Sequence, residues 1–270
     1  MKIDELEKIQ NSDGSFGTFH SMSSNSSMTT EKALRRFFFL GLTKDVYIVE
    51  RCLDYVRKCL YKKLIIPDRR EKVINWDVFE ELMFSAWLNL FQVEDKLVKS
   101  VQLTWKRVIE NSIINGEFIV SEYKHQYRLI FGPKGLREIS PANFYMVCIL
   151  KDVLENDASR AYFNFIMRKG IYYIYDKNLY ELPAVFDSKD TISYLIAIKL
   201  ISSFSREKSN LEFIEEWIVE NRDNDGNYYM ENIKADGVVF PLSNNWRRKD
   251  AKISDINKFM EDVLVTIMNK

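Results

Sequence analysis

The chain has 270 residues, enough for one large domain or two small ones and for a substantial core. Its 39 Lys and Arg residues balance its 39 Asp and Glu residues, so its net charge of zero gives no bulk electrostatic attraction to nucleic acid or to an anionic membrane. A hydrophobic content of 46% argues against a disordered chain, and the few Gly and Pro residues, 9 and 5, favour helices over an all-β fold.

The cysteines and the first residues bear on the compartment. Cys52, Cys59 and Cys148 are odd in number and lie in helical patterns, so we expect buried free thiols of a reducing compartment. Residues 1–5 carry no apolar signal core, and no stretch approaches the roughly 18–20 apolar residues that span a bilayer. We therefore predict a soluble cytoplasmic protein without a membrane span; its oligomeric state stays open.

Two kinds of helix alternate along the chain. After a short helix over 2–10, the spacing of apolar residues predicts helices that are apolar on almost every side, at 31–42, 76–91, 141–154 and 190–204. An amphipathic helix follows each of them, at 45–61, 94–111, 157–169 and 208–221, and a last helix spans 250–268. Because a helix that is apolar on every side must be buried on every side, the first kind forms an inner layer and the second an outer layer.

The outer helices end at a regular spacing of about 50 residues, which is typical of a repeat protein. Short links join each inner helix to the next outer one, and longer links lead to the next inner helix, over 62–75, 112–140, 170–189 and 222–249. We predict an all-α fold with a single domain over 1–270. Its inner and outer helices would form a ring of about five hairpins, closed by the first and last helices. An open solenoid of helical hairpins is the alternative.

Two loops share an Asp-Gly sequence. Residues 10–17 read Gln-Asn-Ser-Asp-Gly-Ser-Phe-Gly, and a relaxed copy over 221–229 keeps Asp225, Gly226 and Tyr228. With Gln10, Asp13, Gly14 and Phe16, the first loop resembles the Gln-x-x-Asp-Gly-x-aromatic signature of the α/α-toroid superfamily of terpenoid cyclases and protein prenyltransferases. The resemblance implies an α/α-toroid in which the glycine makes a tight turn and the aromatic ring packs between helices.

A second stretch, 187–191, reads Asp-Ser-Lys-Asp-Thr and opens an inner helix. It is similar to the Asp-x-Asp-Asp-Thr motif of class II terpenoid cyclases, whose middle Asp donates a proton to an alkene or epoxide. Lys189 occupies that middle position here. A lysine ammonium is a far weaker acid than a carboxyl group, so the acid of the family is missing. The alternative is local: Asp187 caps the helix and Asp190 favours its positive end.

The chain offers few ligands for a metal. Prenyltransferases with this fold bind zinc through Asp, Cys and His, but this sequence has only His20 and His125 and no Asp-x-Cys pair. It also lacks the Asp-Asp pair that class I terpene synthases use for magnesium diphosphate. We predict neither a metal nor another cofactor.

In such a ring the inner helices run parallel, so their first residues converge at one mouth. The carboxylates there that we predict to be catalytic are Asp77, Glu80, Asp187 and Asp190. The side chains that we predict to bind a ligand are aromatic residues of the inner helices and cations of the rim: Phe38, Trp76, Phe84, Trp87, Tyr145, Tyr194, Arg69, Arg70 and Lys189. For any single one of these residues, helix capping, solvated rim charge or core filling is the more usual account.

These residues predict a protein that binds or transforms an apolar small molecule, with an isoprenoid as the ligand that the resemblance implies. A non-catalytic interaction scaffold of the same fold is one alternative. A carbohydrate-active enzyme is another, and it requires two carboxylates about 5–10 Å apart across a groove, with Asp77, Glu80 and Asp190 as candidates. Whether the protein is an enzyme stays open at this point.

Overall fold

The structure, a computed structural model, describes residues 3–20, 28–132, 137–205, 208–233, 246 and 248–268. These residues form mostly helices, so the predicted all-α class is confirmed. The helices are α1 (Ile3–Ile9), α2 (Thr30–Phe39), α3 (Tyr47–Leu60), α4 (Trp76–Leu90), α5 (Lys96–Glu110), α6 (Val120–Phe131), α7 (Phe144–Leu150), α8 (Asn156–Lys169), α9 (Lys189–Ile201), α10 (Glu212–Glu220) and α11 (Lys249–Met268). Two short strands, β1 (Ile113–Ile114) and β2 (Glu117–Phe118), pair as an antiparallel hairpin.

The segment 112–140 differs from the prediction, because it contains the hairpin and α6 rather than a plain link. Tyr123, Tyr127 and Phe131 lie four residues apart and form one stripe of α6. The rings of Tyr127 and Phe131 pack against Trp105 of α5, with centroids 5.9 and 4.7 Å away. Packing of this aromatic stripe stabilises α6. The sequence did not predict the helix because polar residues surround the stripe.

The inner and outer character of the helices follows their sequence pattern. Every residue of α7 is buried, and so is every residue of α9 except Lys189, Asp190 and Lys199. By contrast, α3, α5 and α8 each bury one face. Helix α4 packs against α3, α5 and α7, while α9 packs against α7 and α11. The helices that are apolar all round therefore lie inside, as their composition requires.

The inner helices share a direction. The C-terminal residues Phe38 of α2, Leu90 of α4 and Leu200 of α9, with Lys151 directly after α7, line one cavity of about 670 Å³. At the other end, Glu31 in the first turn of α2 contacts Tyr145 in the first turn of α7. Since their C-terminal ends meet at one face, the four helices run parallel to one another.

Two further expectations concern membranes and thiols. Within the described ranges, no helix combines the length and the apolar character needed to cross a bilayer. Cys52, Cys59 and Cys148 are free thiols and all three are buried, as predicted.

The first Asp-Gly turn joins the N-terminal segment to α3. Gln10 Nε2 donates hydrogen bonds to the carbonyl oxygens of Gly14 and Ile48, both at 3.0 Å. Arg51 Nη2 donates to the carbonyl oxygens of Asn11 and Ser12, at 2.8 and 3.0 Å. The Phe16 ring is buried against Phe37 of α2, with centroids 6.0 Å apart. The turn is thus a structural link between the N-terminal segment, α2 and α3.

The two copies of the turn differ in their packing. Gly14 has a φ of 93° and Gly226 has a φ of 80°, so both adopt the left-handed region that favours glycine. A Cβ atom at position 14 would overlap the backbone carbonyl of Arg51, whereas a Cβ atom at position 226 would meet nothing within 4 Å. At the glycine itself, only the first copy packs against the backbone of a neighbouring helix.

We expect Gly14→Ala to lower the free energy of unfolding by at least about 2 kcal/mol, because backbone strain adds to a clash with a fixed backbone atom. Gly226→Ala is the matched control, and its cost of about 1 kcal/mol reflects the left-handed φ alone. Urea denaturation followed by circular dichroism measures both values. Equal losses in the two variants would contradict the difference in packing.

Candidate functional site

The predicted residues at the start of α9 lie at the surface. The Asp187 carboxylate accepts hydrogen bonds from the backbone and side-chain N–H groups of Asn232, at 3.0 and 2.7 Å. Asp190 forms an ion pair with Lys177, and the two side chains are 56% and 60% exposed. Asp187 does not cap α9, because Ser188 Oγ accepts the hydrogen bond from the Thr191 backbone N–H instead. Lys189 is exposed.

The predicted residues near the start of α4 lie at the surface or half-buried. Asp77 pairs with Arg70 at 2.5 Å, and both side chains are 62% exposed. Arg69 is exposed as well. Glu80 is half-buried, and burial raises the pKa of its carboxyl group. Trp76 is buried and packs on Phe79. The catalytic role that we predict for these carboxylates and for those of α9 stays a prediction.

The predicted aromatic wall lies mostly inside the core. Phe84, Trp87, Tyr145 and Tyr194 are between 0% and 3% exposed. A ring that lined a water-sized cavity would expose more surface, so ligand binding by these four residues stays a prediction that requires the core to open. Phe38 is partly buried and does line a cavity, the one at the C-terminal ends of the inner helices.

A buried polar cluster lies where α2, α4 and α7 begin. We call it the His20 cluster, and it consists of His20, Glu31, Arg35 and Tyr145. Glu31 Oε2 lies 2.7 Å from His20 Nδ1, and Glu31 Oε1 accepts hydrogen bonds from the Tyr145 hydroxyl at 2.7 Å and from Arg35 Nη2 at 3.2 Å. The Tyr145 hydroxyl also lies 2.9 Å from His20 Nδ1. The Glu31 carboxylate therefore has three partners, as a buried charge requires.

Backbone contacts fix the cluster in place. The buried Asp68 carboxylate accepts hydrogen bonds from the backbone N–H groups of Phe19 and His20, at 2.6 and 2.7 Å. Asn143 caps α7 by accepting the backbone N–H of Tyr145 at 2.8 Å. These bonds hold the imidazole and the phenol against the Glu31 carboxylate.

Aromatic rings enclose the charges of the cluster. The His20 ring makes edge contacts with Phe79, Tyr145 and Tyr173, with centroids 6.0, 6.2 and 5.4 Å away. The Arg35 guanidinium lies over the Phe144 ring, 4.6 Å from its centroid. His20 is 22% exposed, whereas Glu31 is 7% and Arg35 is 10% exposed. The imidazole is thus the member of the cluster nearest to solvent.

The cluster sets its own protonation. Burial alone would raise the pKa of Glu31, but the charge of Arg35 and the hydrogen bonds from His20 and Tyr145 outweigh it and lower the pKa to about 2. Burial alone would lower the pKa of His20, but the hydrogen bond and charge of Glu31 outweigh it and raise the pKa. Glu31 is therefore an anion at neutral pH, and it favours the imidazolium form of its partner.

A pocket adjoins the cluster, and we call it the mouth pocket. It has a volume of about 300 Å³ and lies between the chain segments 71–79, 137–143 and 169–176. Phe79 and Tyr173 line this pocket and also contact His20. Glu71, Arg137, Asn143, Lys169, Tyr172 and Asp176 are among the other residues of its wall.

Two adjacent tyrosines form one side of the mouth pocket. The rings of Tyr172 and Tyr173 lie 4.2 Å apart, and Tyr172 is 41% exposed. Tyr173 has a φ of 78°, a conformation that costs a bulky residue about 1–3 kcal/mol. Backbone bonds hold this loop on the start of α7, since the Tyr172 N–H donates to the Ala142 carbonyl at 2.8 Å. The backbone strain at Tyr173 therefore lowers the stability of the fold, while the loop places both rings in the wall of the mouth pocket.

The sequence predicted a ligand-binding role for Tyr145, but it gave no role to His20, Glu31 or Arg35. One signal was available, because His20 is one of only two histidines and follows the first Asp-Gly turn by a few residues. In the sequence, Glu31 and Arg35 lie four residues apart, which is the spacing of an ordinary exposed ion pair on one face of a helix. Their burial depends on Trp87, Phe144 and Tyr145, which come from distant parts of the chain.

No family model, curated protein or solved structure significantly matches the chain. The resemblance to the α/α-toroid superfamily therefore rests on the quoted motif residues and stays a prediction. In the part of the chain that the structure describes, no group of three or more His, Cys, Asp and Glu side chains is arranged to hold a metal ion.

We expect Glu31→Gln to lower the free energy of unfolding by about 3–5 kcal/mol at pH 7, because Arg35 would stay buried without its counter-charge. Asp190→Asn removes a carboxylate from an exposed pair at the start of another inner helix, and we expect a change within about 0.5 kcal/mol. Chemical denaturation of both variants measures the contrast. A small loss for Glu31→Gln would mean that the cluster is not a buried ionic network.

Glu31→Gln also tests how the free energy of unfolding changes at acidic pH. The pKa of Glu31 is lower in the folded chain, about 2, than its ordinary value of 4.5. Its contribution is therefore complete above about pH 4.5 and is lost as the pH falls toward 2. We expect the stability difference between the wild type and Glu31→Gln to narrow over this interval in urea titrations at several pH values. A constant difference would contradict the lowered pKa.

Proposed function

We propose that the helices close into an α/α-toroid and that its function lies at the mouth where the inner helices begin. Successive contacts around the ring support the proposal. Arg35 of α2 lies 6.0 Å from the Trp87 ring of α4, and Phe39 of α2 lies 6.3 Å from Phe259 of α11, measured to the ring centroids. Between these, α4 packs on α7, α7 on α9, and α9 on α11. Closure of the ring by α1 and α11 belongs to the same proposal.

The ligand that fits the mouth pocket best is a small polyhydroxylated molecule of the carbohydrate class. The observation that carries this choice is the composition of the pocket wall. It combines the rings of Phe79, Tyr172 and Tyr173 with the carboxylates of Glu71 and Asp176. Aromatic faces stack on the C–H surface of a sugar, and carboxylates accept hydrogen bonds from its hydroxyl groups. A volume of about 300 Å³ suits a small ligand of this kind.

Charge of both signs distinguishes this pocket from a site for an apolar molecule. Arg137 and Lys169 stand in the wall beside Glu71 and Asp176. An isoprenoid chain would leave these charged groups without partners and would gain little from displacing their water. A ligand rich in hydroxyl groups satisfies donors and acceptors together.

The chemistry that the site offers to a bound ligand is proton transfer by His20. Glu31 and Tyr145 occupy Nδ1, and in the described part of the chain no hydrogen bond reaches Nε2. The carboxylate orients the ring and stabilises its protonated form, an arrangement that suits an acid or base near neutral pH. This role requires the ligand to reach past Phe79 and Tyr173 to the imidazole.

An apolar, isoprenoid-like ligand is the second candidate, because the sequence 187–191 resembles the cyclase motif. The apolar character of α4, α7 and α9 favours it. It would require an axial cavity lined by rings such as Trp87 and Tyr145, which are 1% and 0% exposed. The carbohydrate proposal needs no such opening.

We expect neutral mono- and oligosaccharides to bind the protein in titration calorimetry, and we expect Tyr172→Ala to weaken that binding about three- to tenfold through loss of stacking. Tyr180→Ala is the matched control, because Tyr180 is 44% exposed and does not line the mouth pocket. Farnesyl diphosphate tests the second candidate in the same assay.

Saccharide binding that Tyr172→Ala leaves unchanged would place the ligand elsewhere. Binding of farnesyl diphosphate without any saccharide binding would overturn the carbohydrate proposal in favour of the isoprenoid one. Absence of binding by both compound classes would favour the interaction scaffold. Circular dichroism of each variant separates a local loss of contacts from a loss of folding.

A further inference from the structure

A second cavity lies at the end of the inner helices opposite to the mouth, and we call it the end cavity. Its volume is about 670 Å³, and residues from the C-terminal ends of α2, α4, α9 and α11, with Lys151 after α7, form its wall. Apolar side chains such as Phe38, Leu42 and Leu90 cover part of the wall, and polar groups cover the rest. The cavity is large enough for a small organic ligand.

Lys199 is a charged residue among apolar neighbours in the wall of this cavity. It interrupts the apolar end of α9, where both Ile198 and Leu200 are buried, and its own side chain is half-buried. In the described part of the chain its ammonium group has neither a carboxylate within ion-pair distance nor a hydrogen-bond acceptor. Its Nζ lies over the Phe38 ring, 5.8 Å from the centroid. Lysine is rarely buried without an ionic partner, so a half-buried lysine without one is unusual among apolar neighbours.

Charged groups from several elements line the end cavity or act on Lys199. Lys151 follows α7, Lys44 and Asp45 lie in the link after α2, and Asp152 stands on the rim. Asp262 faces Lys199 from α11. Lys44 is already engaged, because its Nζ donates to the Gln92 carbonyl at 2.7 Å. Burial is the largest influence on Lys199 and lowers its pKa, the Lys151 charge lowers it further, and Asp262 opposes both.

We propose that Lys199 is a nucleophile that holds an aldehyde or ketone ligand in the end cavity as an imine. The position of the amine supports this: it faces free volume, lies beside an aromatic ring and has a second cation nearby. A desolvated lysine next to another cation is the arrangement that keeps an amine neutral and reactive toward carbonyl groups.

The reaction balances without another reactant. The Lys199 ammonium gives a proton to water, and its lone pair then forms a bond to the carbonyl carbon. The two protons of the Nζ amine move to the former carbonyl oxygen, which leaves the carbinolamine as water, and a C=N bond to Nζ remains. Hydrolysis reverses these steps, so the ligand is held reversibly. The end cavity is separate from the mouth pocket, and this proposal does not depend on the ligand bound there.

Reductive labelling tests the proposal on the intact chain. The probe is benzaldehyde with cyanoborohydride, which converts an imine into a stable benzylamine, and peptide mass mapping then gives the rate of labelling at each lysine. At pH 7 we expect Lys199 to react several-fold faster than Lys99, which is exposed on α5. Both rates come from one sample of wild-type protein, so the comparison does not depend on any variant folding.

Variants of the neighbouring charges test the cause of the reactivity. We expect Lys151→Gln to move the pH midpoint of Lys199 labelling upward, because it removes a nearby positive charge, and Asp262→Asn to move it downward. Lys199→Arg should abolish the fast labelling while leaving the rate at Lys99 unchanged. Labelling of Lys199 no faster than that of Lys99, or a midpoint that Lys151→Gln does not move, would overturn the proposal.

Discussion

The structure depends on the compensation of one buried negative charge. Glu31 lies in the first turn of α2, where the helix N-terminus and Arg35 both favour an anion. Burial would otherwise protonate it, so the fold must bring donors to both carboxylate oxygens. His20 arrives from the N-terminal segment and Tyr145 from α7. The requirement for these partners fixes how the start of the chain, α2 and α7 are placed relative to one another.

This constraint explains the surroundings of the cluster. Phe79 and Tyr173 keep water from the ion pairs, which strengthens them, and Asp68 holds the backbone that carries His20. The same rings form part of the mouth pocket. The same few side chains therefore stabilise the His20 cluster and line the mouth pocket. The inner helices begin at a polar, charged face. Their C-terminal ends meet at the end cavity, which is lined by other lysine residues.

The sequence predicted the helices well, because helical periodicity is a local property. Residues that are apolar on every side of α7 and α9 identified the inner layer, and the Asp-Gly turns were recognised by their short-range pattern. The hairpin and α6 were missed although Asn115-Gly116 is a strong turn signal. The His20 cluster was beyond local reasoning, since a glutamate and an arginine one helical turn apart give no indication of burial. Asp187 and Asp190 drew attention through their motif, yet Asp190 is exposed and Asp187 is only partly buried.

The separation of His20 and Tyr145 along the chain, 125 positions, has a consequence for biosynthesis. While the polypeptide emerges from the ribosome, Glu31 and Arg35 are made long before Tyr145 exists. Until Tyr145 has been made, the carboxylate of α2 lacks one of its hydrogen-bond donors. Burying it in that state would cost free energy, so the polar face of α2 stays hydrated. Burial of the Glu31 carboxylate thus waits until α7 has been translated, and a nascent chain stopped before α7 would lack the Tyr145 donor.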